Sequence, residues 1–300
     1  MNKIVNGDAI EVMTLLETNS VDAIITSPPY YNLRDYKAKG QRGKEDTVEL
    51  YVNNLCDVFD EAKRVLKKTG VLWLNIGDTY KNKGLLMVPE RLAIEMVKRG
   101  WMLRQEVIWE KPCPQPTSNK DRLWTNHEKV FMFVQSKNYF FNQPRVPQKE
   151  VSLKRYLHKN KPTNRKDAGK VGFGFNYENQ TKHFEKMAAK IGDNFDYEEL
   201  VASGRCPTRP LFSVWKMSTA NTKGFHFATF PEKLVETPLL ASVPEGGLVL
   251  DPFNGSGTTC LVAKKNNRNY IGIDINPDYC EKARKRLDET TISEGNNKDA

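Results

Sequence analysis

Cysteine is scarce and unpatterned in this chain. The five cysteines, Cys56, Cys113, Cys206, Cys260 and Cys280, are odd in number, widely spaced and never form a C-x-x-C pair. That argues against a disulfide framework or a zinc site and suits a reducing compartment. Histidine is equally sparse, and His127, His158, His183 and His226 show no metal-ligand spacing, so no metal is expected. Long apolar runs are also missing. No stretch approaches the roughly 18 residues that a membrane span needs. Asp8 and Glu11 stand where a signal peptide would need its apolar core. A cytoplasmic protein without a membrane partner is the expectation. No internal repeat is found.

Positive charge, by contrast, is plentiful and localised. The 300 residues carry 46 Lys+Arg against 37 Asp+Glu, a formal net of +9. Between Gln143 and Gly224 there are 16 Lys+Arg against 8 Asp+Glu, a net of +8. Nearly all the excess therefore lies in about a quarter of the chain. A solvated basic face and a polyanion-binding surface both fit this, and charge alone does not choose between them.

Outside that segment, strands alternate with helices. Strands are expected at Lys3 to Asn6, Val21 to Thr26, Gly70 to Asp78, Met102 to Trp109, Lys129 to Gln135, Gly247 to Asp251 and Tyr270 to Asp274. Helices are expected at Ala9 to Leu16, Val48 to Lys67, Pro89 to Arg99, Pro231 to Ser242, Thr258 to Lys265 and Pro277 to Asp288. This alternation means an α/β fold, a mostly parallel sheet with helices on each face. From Gln143 to Gly224 the alternation dissolves into basic residues, isolated aromatics, Pro and Gly, as expected of an irregular insertion. The polar end, "ETTISEGNNKDA", is expected to be a disordered tail.

Two short stretches carry chemistry. In "DAIITSPPYYNLRDY" (Asp22 to Tyr36) a buried strand stops at Pro28 and Pro29, which lack backbone donors and have fixed φ. Tyr30 and Tyr31 are thereby held at a strand's end, where open α/β sheets place ligands. An exposed P-P-x-Y ligand for a proline-binding module is the bland alternative, but such ligands do not follow buried strands. In "LVLDPFNGSGTT" (Leu248 to Thr259) a strand ends in an acid and runs into a glycine turn. Gly255 and Gly257 let backbone approach a ligand, and Thr258 is placed to cap the next helix. About twenty residues on, "YIGIDIN" ends a strand in Asp274, the spacing of a carboxylate that takes ribose hydroxyls. No Gly-Lys-Ser/Thr follows the turn, so the Walker reading fails. Asp251 would repel a dinucleotide's pyrophosphate, whereas it suits the cationic cofactor S-adenosylmethionine. Pro112-Cys113 sits far along the chain from these glycines and reads as an ordinary loop cysteine. Trp73, Trp101 and Trp109 read as core.

On these motifs the sequence resembles the amino-methyltransferases of DNA in their permuted β-group arrangement. "TSPPY" (Thr26 to Tyr30) looks like the catalytic motif and "DPFNGSGTT" like the cofactor motif. "HFATFPEKL" (His226 to Leu234) looks like the element before it, and "NGDA" (Asn6 to Ala9) like the segment whose acid approaches the cofactor's adenine. The resemblance covers about Met1 to Tyr139 and Phe225 to Leu287. It implies a Rossmann-like, seven-stranded, mostly parallel methyltransferase sheet, circularly permuted, with an inserted target-recognition region. The halves fall at 1–142 (catalytic), 143–224 (target recognition), 225–289 (cofactor) and 290–300 (tail).

The resemblance assigns catalysis to Ser27, Pro28, Pro29 and Tyr30. S-adenosylmethionine contacts fall to Asp8, Phe230, Asp251, Phe253, Gly255, Ser256, Gly257, Thr258 and Asp274. Arg155, Lys159, Arg165 and Lys166 are candidates for DNA contacts. The implied substrate is double-stranded DNA and the implied product N4-methylcytosine, with N6-methyladenine as the alternative. Ser27 stands where adenine-directed relatives usually carry Asp. Amine methylation of RNA or protein and a catalytically dead DNA-binding fold are the competing readings. Relatives that modify protein glutamine carry Asn at the Ser27 position, and intact motifs argue against a dead fold. A homodimer and a cognate restriction endonuclease acting on the same site are left open, in a prokaryotic or phage-like cytoplasm.

Overall fold

The structure is a computed structural model. It describes residues 2–33, 40–114, 116–157, 186–187, 189–191, 195–219 and 231–290. The chain divides into two compact units, one from the described residues of Met1–Asn142 and Phe212–Ser293, the other from those of Gln143–Leu211.

In the first unit the strands are β1 (Lys3–Asn6), β2 (Val21–Thr26), β3 (Leu66–Ile76), β4 (Met102–Glu110), β5 (His127–Val134), β6 (Val214–Lys216), β7 (Leu248–Asp251) and β8 (Asn269–Asp274). They form one sheet in the order β1-β8-β7-β2-β3-β5-β4-β6. All neighbours pair parallel except at β5, which runs antiparallel to both β3 and β4. The sheet has eight strands where seven are expected; the addition is the three-residue edge strand β6, from the segment read as insertion. The central pairing is β7 against β2, with Val249 opposite Ala23 and Leu250 opposite Ile24. Two strands from opposite ends of the chain therefore finish side by side.

The helices are α1 (Ala9–Thr14), α2 (Val48–Val65), α3 (Val88–Lys98), α4 (Glu232–Ser242), α5 (Thr258–Lys265) and α6 (Pro277–Asp288). In α2 the buried residues Tyr51, Leu55, Val58, Phe59 and Ala62 recur at helical spacing, which gives the helix its single apolar face. Thr47 caps its start by accepting from Leu50 N at 3.1 Å. The helix ends at Val65, two residues before the expected stop, because Leu66 is already extended and opens β3. Its face packs with Leu72, Leu74, Phe131 and Phe133 into the main core. Burying one such Leu or Phe side chain is worth about 2 kcal/mol. Among the described residues no helix is long and apolar enough to cross a membrane.

The second unit is small. Arg145–Pro147 pairs antiparallel with Thr208–Pro210, and helices Glu150–Leu157 and Tyr197–Ala202 accompany them. Leu153, Ile191, Leu200 and Cys206 form its core.

Candidate active site

A cavity of about 430 Å³ lies where β2 and β7 end. Its walls bring together Ser27, Pro28, Pro29 and Tyr30 from one turn with Phe253, Gly255, Ser256 and Thr258 from the other, and with Asp274 at the end of β8. Asp8, Asp251 and Gly257 stand outside the lining. Phe230, Lys159, Arg165, Lys166 and the Arg155 side chain lie outside the described residues, as does most of "HFATFPEKL".

The proline turn is clamped from several sides. Tyr51 Oη donates to the Pro29 carbonyl at 2.7 Å. The Tyr30 ring packs so closely on Gly77 that a Cβ there would come within 2.7 Å of it. Tyr30 Oη donates to Glu128 Oε2 at 2.6 Å. Asn75 Nδ2 lies 2.7 Å from Tyr30 Oη and 3.0 Å from the same carboxylate oxygen. Ser27 Oγ is at the weak end of this network, 3.4 Å from both Tyr30 Oη and Asn75 Nδ2. The second oxygen of Glu128 pairs with Lys111, whose ammonium also sits 4.6 Å from the Trp109 ring centroid. Burial, then the charge and hydrogen bond of Glu128, push the Tyr30 phenol well above its ordinary value. Tyr30 is therefore a neutral ring and hydroxyl at any working pH.

The glycine turn is built the opposite way. Gly255 and Gly257 both have left-handed φ, +49° and +78°. A Cβ on Gly255 would meet only one atom, at 4.0 Å, whereas one on Gly257 would press on Ala283 at 3.0 Å. The first glycine keeps space open; the second permits close packing of α6. Gly257, not Thr258, is the N-cap residue of α5, and Thr258 Oγ1 instead accepts from Arg286 Nη1 at 3.1 Å. A left-handed glycine already sits at the cap, so the expected threonine cap is displaced by one residue.

Two acids shape this turn. Asp274 accepts from Gly255 N through Oδ2 and from Asn276 N through Oδ1, each at 2.8 Å. Burial raises its carboxyl in spite of those two amides. Asp251 is 1% exposed and turned inward. It accepts from Thr26 Oγ1 at 2.6 Å and Phe253 N at 3.1 Å. Burial pushes its carboxyl up to about 6, partly opposed by its hydrogen bonds with Thr26, Thr259 and Phe253. Asp251 thus ties the glycine turn to the strand that carries the proline turn. Asp8 caps α1 through Ile10 N at 2.8 Å and pairs with Arg42 at 2.8 Å. Burial would raise its carboxyl, but the Arg42 pair and the α1 amides outweigh this and hold it below the usual value.

Sequence reading missed Asn75, Lys111, Glu128 and Arg42. Asn75, near the end of the apolar run "VLWLNI", is the one with a local signal, a buried polar residue at a strand's carboxyl end. Glu128 and Lys111 arrive from β5 and from just beyond β4, and nothing local marks them. Cys113, set apart by its sequence distance, lines the same cavity as Gly255, because the β4–β5 connection returns to this end of the sheet. Trp109 is buried as expected and lines the cavity as well.

A family model described as DNA methylase (N6_N4_Mtase) matches residues 21–285. The chain is 34% identical to the Type II methyltransferase M.Cfr9I of Citrobacter freundii over 94% of this chain and 86% of that protein. Among solved structures, it resembles the PvuII DNA methyltransferase (cytosine-N4-specific) with a TM-score of 0.65 and 19% identity, over 98% of this chain and 89% of that one. It also resembles a DNA modification methylase of Thermus thermophilus, TTHA0409, complexed with S-adenosyl-L-methionine, with a TM-score of 0.57 and 21% identity, over 96% and 95% of the two chains. The structural likenesses establish the methyltransferase fold; the match over most of the sequence establishes that this chain belongs to the DNA methylase family.

Proposed function

We propose that the protein moves a methyl group from S-adenosylmethionine to the exocyclic N4 of a cytosine flipped out of duplex DNA. The carrying observation is that one cavity takes one wall from "SPPY" and the other from "FNGS" and Asp274. Cofactor and target amine would then meet between neighbouring parallel strands. Complex formation with S-adenosyl-L-methionine by TTHA0409 supports the cofactor. The residues present fit it: open space over Gly255, a buried carboxylate at Asp274, and acids rather than phosphate-binding cations at the strand ends. When bound, the cofactor supplies a methyl group made electrophilic by its sulfonium.

The chain's own task is orientation. An exocyclic amine is a poor nucleophile because its lone pair is delocalised into the ring. Acceptors on its hydrogens and in-line placement lower the barrier. Ser27 Oγ and the Pro28 carbonyl are the acceptors in this reading, and the clamped proline turn fixes their direction. The neutral Tyr30 ring supports the base outside the helix, partly offsetting an unstacking cost of a few kcal/mol. Asp274 takes the ribose hydroxyls, and Asp251 acts on the cofactor through the turn it holds. Phe253, Gly255, Ser256, Gly257 and Thr258 surround the cofactor, with Asp8 and Phe230 near its adenine. The basic region with Arg155, Lys159, Arg165 and Lys166 reads the DNA site. We read the strand order as the permuted β-group arrangement, acting in a cytoplasmic restriction–modification setting.

Cytosine N4 rests on the resemblance of Ser27 and "HFATFPEKL" to the cytosine-directed motifs; the amine geometry would serve adenine N6 equally. Mass spectrometry of nucleosides from DNA incubated with enzyme and labelled S-adenosylmethionine is the test. Label in N4-methylcytidine is expected. Label in N6-methyladenosine would overturn the base but not the mechanism, and label in 5-methylcytosine would overturn both.

A further inference from the structure

The connection between β4 and β5 carries two apolar side chains that the fold does not use. Leu123 is 92% exposed, the highest value for a large apolar side chain among the described residues. Beside it, Trp124 is 51% exposed, while Trp73, Trp101, Trp109 and Trp215 are all at most 5% exposed. Single exposed apolar residues are ordinary. Two adjacent ones, including the one tryptophan left outside the core, need a reason.

Their place supplies it. The loop leaves and rejoins the cavity wall: Lys111, Cys113 and Pro114 line the cavity on the way out, Thr125 and Glu128 on the way back. Lys111 N donates to Asn126 O at 2.6 Å and closes its neck. The tip is braced as well. Arg122 lies 3.9 Å from the Tyr80 ring centroid and donates to the Leu123 carbonyl at 3.2 Å. Lys83, in the neighbouring Tyr80–Leu85 hairpin, pairs with Asp121 at 2.8 Å. Between them the two segments hold Lys81, Lys83, Lys120 and Arg122 against the single acid Asp121. An apolar point set in a basic, braced loop at a cavity mouth matches a duplex whose phosphates are held while its stack is opened.

We propose that Leu123 and Trp124 form a wedge that enters duplex DNA at the target step and fills the gap left by the base that occupies the cavity. This rests on the base-flipping reading above. The wedge acts by lowering the free energy of the unpaired state, so its contribution should vanish when the target has no partner to leave.

The test uses full-length protein and duplex oligonucleotides carrying the methylated site that product sequencing identifies. The variants are Leu123→Ala, Trp124→Ala and the double substitution; both residues are exposed, so folding is not at stake. On paired duplex the double variant is expected to lose at least tenfold in kcat/KM, with unchanged affinity for S-adenosylmethionine. On a duplex with the target mispaired or opposite an abasic position, its rate should return to within about twofold of wild type. A Ser27→Ala control should stay impaired on both. Wild-type rates on paired duplex would overturn the wedge. So would an equal loss on both duplexes, which marks a general DNA contact. Absence of methyl transfer by the wild-type protein would instead overturn the reading on which the wedge rests.

Discussion

The two walls of the cavity solve one problem with opposite backbones. Both follow parallel strands that lie side by side in the sheet, β2 and β7. After β2, Pro28 and Pro29 remove freedom and donors, so what remains to offer is acceptors in fixed directions. After β7, Gly255 and Gly257 use φ values that side chains avoid and bring the backbone close to whatever lies above it. The first wall is stiffened by its neighbours, Tyr51 against the Pro29 carbonyl and Gly77 against the Tyr30 ring. The second is held by carboxylates that accept its amides, Asp251 from Phe253 N and Asp274 from Gly255 N. A wall that orients an amine needs direction; a wall that receives a cofactor needs space and charge.

The largest effect expected from breaking this contrast is on the glycine side. Asp251 is buried and its folded-state value, about 6, lies above the ordinary carboxylate value of 3.8. The native state therefore holds the proton more tightly than the unfolded chain. A penalty on folding grows in as pH rises from near 4 through about 6, reaching about 3 kcal/mol above that. Asp251→Asn should stabilise the cofactor-free protein by up to that amount at pH 8 and by about half of it at pH 5. Urea denaturation at the two pH values checks this, and a pH-independent difference would refute it. The same variant should bind S-adenosylmethionine more weakly.

On the proline side, Ser27→Ala should cost about 2 kcal/mol of transition-state stabilisation and leave cofactor affinity unchanged. Single-turnover kinetics beside calorimetry separates the two; a parallel loss of cofactor binding would erase the division of labour between the walls. Asp274→Ala should do the reverse, weakening S-adenosylmethionine by at least tenfold, about 1.4 kcal/mol. Near wild-type affinity in calorimetry would remove it from the site. Gly255→Ala tests conformation most narrowly. Its Cβ meets little, so the left-handed φ alone should destabilise the fold by about 1 kcal/mol. A Gly257→Ala variant should cost more, since it also presses on Ala283. Thermal denaturation of the two variants side by side checks that order.

What the sequence determined by itself is local. Apolar runs bounded by prolines and glycines mark β2 and β7, because buried strands and sharp turns each demand particular residues over a few positions. For the same reason α5 and α6 are found with the expected limits. The tertiary structure decided what depends on distant partners. Strand direction at β5 brings Glu128 to Tyr30 across 98 positions. The return of the β4–β5 connection puts Lys111 and Cys113 on the cavity wall. The edge strand β6 forms because β4 has an open edge to pair with, not because three residues insist on being a strand. The inward turn of Asp251 was decided in the same way. Its carboxylate points where Thr26 and the Phe253 amide converge, and that convergence exists once β7 has paired with β2. Local chemistry fixes which backbone can turn; only the packed sheet fixes what each side chain meets at the turn.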